Sequence, residues 1–138
     1  MSNHTSPTAY SALASKSKTS LVLRIECLLV FFVTLFAFNQ FGGNWLIFLV
    51  VFAAIDLSMI GYLASNRVGG ITYNLGHSYI VPRVILLAAL LGDIHGLLLF
   101  ALIWNAHISL DRAMGYGLKQ NTFQHTHLGK IGKAEAID

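Results

Sequence analysis

Glu26, Asp56, His77, His107 and Asp111 are residues whose type and position could do chemistry in this chain. All five stand in stretches that are otherwise apolar. An ionisable side chain inside a membrane span costs about 2.5–3.5 kcal/mol on insertion scales, so each asks for a physical reason. His107 and Asp111 are four residues apart and share a helical face, with Trp104 a turn ahead of them. Tyr73 and Asn74 stand four and three residues before His77 and share its face. Two donors spaced i, i+4 can grip one ion, as the histidines of H-E-x-x-H helices do. Imidazole mixed with carboxylate suits a divalent zinc, iron or manganese better than thiolate-preferring ions. On this reading His77, His107 and Asp111 bind metal, and Asp56 binds or orients. Glu26 is the general base for a water acidified at an open coordination position. Tyr73, Asn74, Arg112 and His127 are secondary candidates. Haem ligation by His77 and His107 is disfavoured by the carboxylate-rich surroundings.

Helices must position these groups. Hydrophobic residues make up 55% of the 138 and charged residues only 11%, against about 25% charged in a soluble domain. The mean hydropathy of +0.64 agrees. This balance excludes a soluble globular enzyme and a disordered chain, and the single Cys27 excludes a disulfide scaffold. Crossing roughly 30 Å of hydrocarbon takes about 20 apolar residues. Four segments qualify: Leu21–Phe41, Trp45–Ala64, Gly70–Leu91 and Ile94–Met114. None alternates apolar with polar residues as barrel strands would. The turns between them are short, which predicts an all-α membrane protein, an antiparallel four-helix transmembrane bundle. Residues 1–20 read as a disordered cytoplasmic tail, 21–114 as the bundle and 115–138 as a C-terminal cytoplasmic tail. The first apolar run ends in Asn39-Gln40-Phe41, without the small residues of a cleavage site, so it reads as a retained anchor.

Nine Lys and Arg against six Asp and Glu give a net charge of +3. Eight of the nine cations lie on the side shared by both termini and the loop between spans 2 and 3; Arg83 is the exception. The positive-inside bias then places both termini in the cytoplasm. The cations are too thinly spread for nucleic acid. Antiparallel folding brings Glu26, Asp56, His77, His107 and Asp111 to one leaflet, at about 1.5 Å of rise per residue. The other halves of the spans are apolar. A polar chamber beneath a hydrocarbon roof is the expectation. The rival is a network in which these groups pair with Arg24, Arg83 and Arg112 and set helix register. Pro82 removes a backbone donor and predicts a kink in span 3. Arg83 either snorkels or pairs inward. His125 and His127 are solvated, unless the tail folds back so that His127 caps the cytoplasmic mouth.

The blocks Asp56-Leu-Ser-Met-Ile-Gly-Tyr62, Tyr73-Asn-Leu-Gly-His77, Trp104-Asn-Ala-His107-Ile-Ser-Leu-Asp111-Arg112 and Thr126-His127-Leu-Gly-Lys-Ile-Gly-Lys133 resemble those of a family of small bacterial membrane proteins, the domain-of-unknown-function family DUF4260. The resemblance runs from Arg24 to Lys133. It implies a four-span protein of the bacterial inner membrane, places Asp56, His77, His107, Asp111, Arg112 and His127 in family motifs, and brings no activity. The family often has Pro before the acid at Asp56; here Ile55 stands there, which removes the residue that would enforce a kink.

Three functions fit this reading. One is a metal-dependent enzyme, hydrolase-like, acting on a lipid-like small molecule from the cytoplasmic leaflet. Another is a proton-coupled or small-ligand transporter, which needs a homo-oligomer and a polar route through the apolar halves. The last is a structural or accessory subunit of the membrane. Beyond the bilayer and the lipid-like ligand, a second copy of the chain is the partner the sequence allows.

Overall fold

The computed structural model describes residues 7–118, 125–126 and 129–130. His127 lies outside them. Six helical segments follow one another: α1 (Pro7–Gln40), α2 (Trp45–Ala54), a 3-10 helix (Ile55–Leu63), α3 (Asn66–Gly76), α4 (Ile80–Leu91) and α5 (His95–Met114). A two-residue antiparallel pairing joins His125–Thr126 to Gly129–Lys130. The six segments make four spans long and apolar enough to cross a membrane: Lys18–Gln40, Trp45–Leu63, Asn66–Leu91 and His95–Met114. We call the end where span 1 begins and span 4 ends the near end.

Local sequence explains most boundaries. The side chain of Asn44 accepts hydrogen bonds from the N–H groups of Leu46 and Ile47, at 2.9 and 3.2 Å, and so starts α2. Ser65 accepts from Val68 N–H at 3.1 Å and starts α3. Gly115, at φ 96°, ends α5 in the left-handed region that glycine enters without penalty. α1 starts at Pro7, ahead of the apolar pattern at Leu21. Nothing between Thr8 and Ser20 is Gly or Pro, and extending a nucleated helix costs little per residue.

Spans 2 and 3 are not uniform helices. Span 3 breaks between Gly76 and Ile80, ahead of Pro82, whose missing N–H would have bonded to the carbonyl of Ser78. The Ser78 hydroxyl instead accepts from Ile80 N–H at 3.3 Å. Span 2 changes from α to 3-10 at Ile55, although no proline enforces it. A 3-10 helix eclipses side chains three apart, so Ile55, Ser58 and Gly61 form one column. That column faces α3. A Cβ on Gly76 would stand 2.8 Å from the Ser58 side chain, and one on Gly61 would collide with Thr72. Small residues on both segments therefore set a close backbone approach.

α5 is the most enclosed helix, burying Leu98, Ala101, Leu102, Ile103, Ala106, His107, Ile108 and Ser109. α1, α2 and α4 pack against it, while α3 packs on the 3-10 helix. Two polar links cross these contacts. Asn105 Nδ2–H donates to Thr34 Oγ1 at 3.0 Å, tying α5 to α1. Tyr79 O–H donates to Ser109 Oγ at 3.1 Å, tying the break in span 3 to α5.

Candidate metal centre

The two backbone irregularities meet at one point. The 3-10 helix carries Asp56 at its second residue, the end of α3 carries His77, and α5 supplies His107 and Asp111 one turn apart. One donor atom from each of the four lies within 4.8 Å of every other. His77 Nε2 is 3.2 Å from His107 Nε2, 3.3 Å from Asp111 Oδ2 and 3.5 Å from Asp56 Oδ1. His107 Nε2 is 3.4 Å from Asp56 Oδ1 and 3.6 Å from Asp111 Oδ2.

Those separations are compatible with a shared cation. A charge-assisted N–H to carboxylate hydrogen bond is about 2.7–2.9 Å long, and all four imidazole–carboxylate distances exceed that. Four donors about 2.0–2.1 Å from one tetrahedral ion stand about 3.3–3.4 Å apart. The five separations that involve an imidazole, 3.2–3.6 Å, bracket that value, and the sixth, Asp56 to Asp111, lies within 4.8 Å.

Protonation supports the same view. His77 Nδ1 lies 3.0 Å from the backbone carbonyl of Tyr73, which can only accept, so Nδ1 carries the hydrogen and donates it. Nε2 is then left facing the cluster. Ser58 Oγ stands 3.4 Å from the same Nδ1. Holding the far nitrogen by a carbonyl is how metal-binding histidines are commonly oriented. The Tyr73 ring stacks on the His77 imidazole at 3.9 Å between centroids, and Phe52 lies tilted on His107 at 4.7 Å. Both imidazoles are buried. A divalent ion would offset the charge of the two carboxylates at low cost in burial. Asp111 is mostly shielded, but the side chain of Asp56 is 56% exposed, so the cluster is open on that side.

The structure thus brings together Asp56, His77, His107 and Asp111, with Tyr73 stacked on them. Glu26 is exposed on α1 and is not one of the four. Asn74 is half-buried on α3, where it has interactions of its own. Arg112 Nη2–H donates to the His77 carbonyl at 3.4 Å, tying α5 to the backbone at the end of α3. The arginines offered as partners for the acids have other contacts. Arg83 lies 4.3 Å from the centroid of the Tyr79 ring, Arg112 lies 5.0 Å from the same ring, and Arg24 reaches Gly115 at the end of α5. Ser58 and Gly76 escaped sequence reasoning as supports of the cluster, and the sequence puts Trp104 on the stripe of His107 and Asp111 without this role. Trp104 Nε1–H donates to the carbonyl of Gly76 at 2.6 Å and so clamps the residue before His77 to α5. The signal available was a run of small residues at Ser58, Gly61, Gly69 and Gly76, which marks close helix approach in membranes.

A family model described as a domain of unknown function, DUF4260, matches residues 20–131. That stretch holds spans 2 to 4, all of span 1 but its first two residues, and every convergent residue. No curated protein and no solved structure matches the chain.

Proposed function

Since the chain belongs to the domain-of-unknown-function family DUF4260, whose description carries no activity, we propose a function from the site itself: a metal-dependent membrane enzyme, of hydrolase type, acting on a lipid-like substrate. The observation that carries this reading is the set of three donor separations of 3.2–3.6 Å among His77, His107 and Asp111, with Asp56 beside them. His77, His107 and Asp111 are the ligands in this proposal. A divalent ion held by them would supply Lewis acidity and make water a usable nucleophile near neutral pH.

We assign proton acceptance to Asp56 rather than to Glu26. Asp56 belongs to the cluster and keeps contact with its surroundings, whereas Glu26 stands apart from it. Tyr73, through its carbonyl and its stacked ring, holds His77 in the tautomer that binds metal. Zinc, iron and manganese all accept this donor set.

The test is elemental analysis of protein purified in mild detergent, loaded with zinc, iron or manganese and then desalted. The wild type should retain about one ion per chain. His107→Ala should retain none while keeping its helical circular dichroism. A wild-type protein that holds no ion after loading with any of the three overturns the proposal.

A further inference from the structure

Beside the metal centre runs a groove of 330 Å³, walled by Val51, Ala54 and Ile55 of span 2 and by Phe100 and Trp104 of span 4. We propose that it takes one hydrocarbon chain of a bilayer-derived amphiphile, whose oxygen-bearing head lies against Asp56, His77, His107 and Asp111. This deepens the functional reading above and rests on it.

Continuity with the centre is the first argument. Ser58 and Gly76 also line the groove; Ser58 Oγ stands 3.4 Å from His77 Nδ1, and Gly76 immediately precedes His77. Ile55 precedes Asp56. The groove therefore ends against the Nδ1 side of His77, whose Nε2 faces the cluster. Direction is the second argument. Val51 and Phe100 lie one helical turn farther from the near end than Ile55 and Trp104, so the groove leads from the polar centre into the apolar half. That is the course of a lipid tail whose head sits at the centre.

Lining chemistry narrows the occupant. The polar groups of the wall are engaged: the indole N–H of Trp104 is given to the Gly76 carbonyl, and the Ser58 hydroxyl lies 3.4 Å from His77 Nδ1. A peptide would bring backbone groups that find no partners there, at several kcal/mol each. A polar solute would lose its hydration for nothing in return. A hydrocarbon chain loses nothing. The volume falls within the range of small-ligand pockets.

Trp104 and Trp45 are the two tryptophans of the chain, so Trp45→Phe leaves Trp104 as the reporter inside the groove. The experiment titrates a bromine-bearing long-chain fatty acid into phosphatidylcholine nanodiscs holding this variant loaded with zinc. Bromine quenches indole fluorescence on contact. Quenching of Trp104 should saturate at a low mole fraction of the fatty acid. Adding Ala54→Phe, which fills the groove, should raise the half-saturating fraction at least tenfold while zinc content stays unchanged; Val51→Phe serves the same purpose if that variant does not fold. Adding His107→Ala, which removes the anchor for the head, should weaken half-saturation at least tenfold as well. Quenching that rises linearly and is indifferent to Ala54→Phe reports bulk lipid contact and overturns the proposal. So does a His107→Ala titration that matches its parent. Failure of the metal reading shows separately, as a parent protein without zinc whatever the titration does.

Discussion

In the far half of the bundle, Phe38 packs against Trp45 and Phe48 at 5.2 and 5.1 Å between ring centroids, and Phe48 stacks on Phe52 at 5.4 Å. Leu98, Leu102, Ile103 and Ala89 close around this ladder. In the near half, Phe52 meets His107 instead of another phenylalanine, and from there the contacts become polar: His77, Asp56, Asp111, Ser58 and the Tyr79–Ser109 hydrogen bond. Backbone regularity changes at the same level. α2 is regular along the ladder and turns to 3-10 at Ile55; span 3 is regular from Ile80 onward and is broken ahead of it. The comparison teaches that stability and chemistry are separated by depth. Hydrocarbon tolerates no unsatisfied backbone, so irregular segments survive only where protein covers them or a polar site needs them. Mid-helix 3-10 stretches and breaks often mark such functional points.

Four substitutions probe that separation. Phe38→Ala removes a ring that is 1% exposed and should lower stability by about 3–5 kcal/mol. Thermal unfolding of the purified protein checks the loss, and metal stoichiometry should not change; a simultaneous loss of metal would show that the halves are not separable. Asp111→Asn strikes the other half. It should weaken metal affinity by at least the factor of about 10–100 that even outer-shell changes cost, as read by chelator competition, with the melting temperature of the metal-free protein little altered. Gly76→Ala sits between the two effects. Its Cβ would stand 2.8 Å from Ser58, so the 3-10 helix and α3 must part, costing about 1–3 kcal/mol and loosening metal binding through His77. Unaltered affinity in this variant would disconnect the backbone approach from the site. Tyr79→Phe removes the phenol hydroxyl and its hydrogen bond to Ser109 and should cost about 1 kcal/mol, with full metal content retained.

Depth was legible in the amino-acid order; azimuth was not. Each residue advances an α-helix by about 1.5 Å, so span ends, once recognised from apolar length, place Asp56, His77, His107, Asp111 and Glu26 at one level. The four spans follow from the same count and agree with the helices to within a few residues. What the linear pattern does not carry is the direction in which each helix turns its face, since that depends on which neighbour packs where. Glu26 shares the level of the cluster and still stands outside it on exposed α1. Asp56 points to His107 because small residues let the 3-10 helix lie close on α3. His77 reaches the centre because span 3 breaks just beyond it. Pro82 signals that something must give, but the break falls at Ser78, the carbonyl whose partner the proline lacks.

By itself, then, the sequence determined the solvent, the number of crossings and the stratum at which charge collects, because transfer into hydrocarbon penalises each residue according to its own chemistry. Only the tertiary structure decided which of those groups come together, because convergence to within 4.8 Å is set by contacts between residues far apart in the chain.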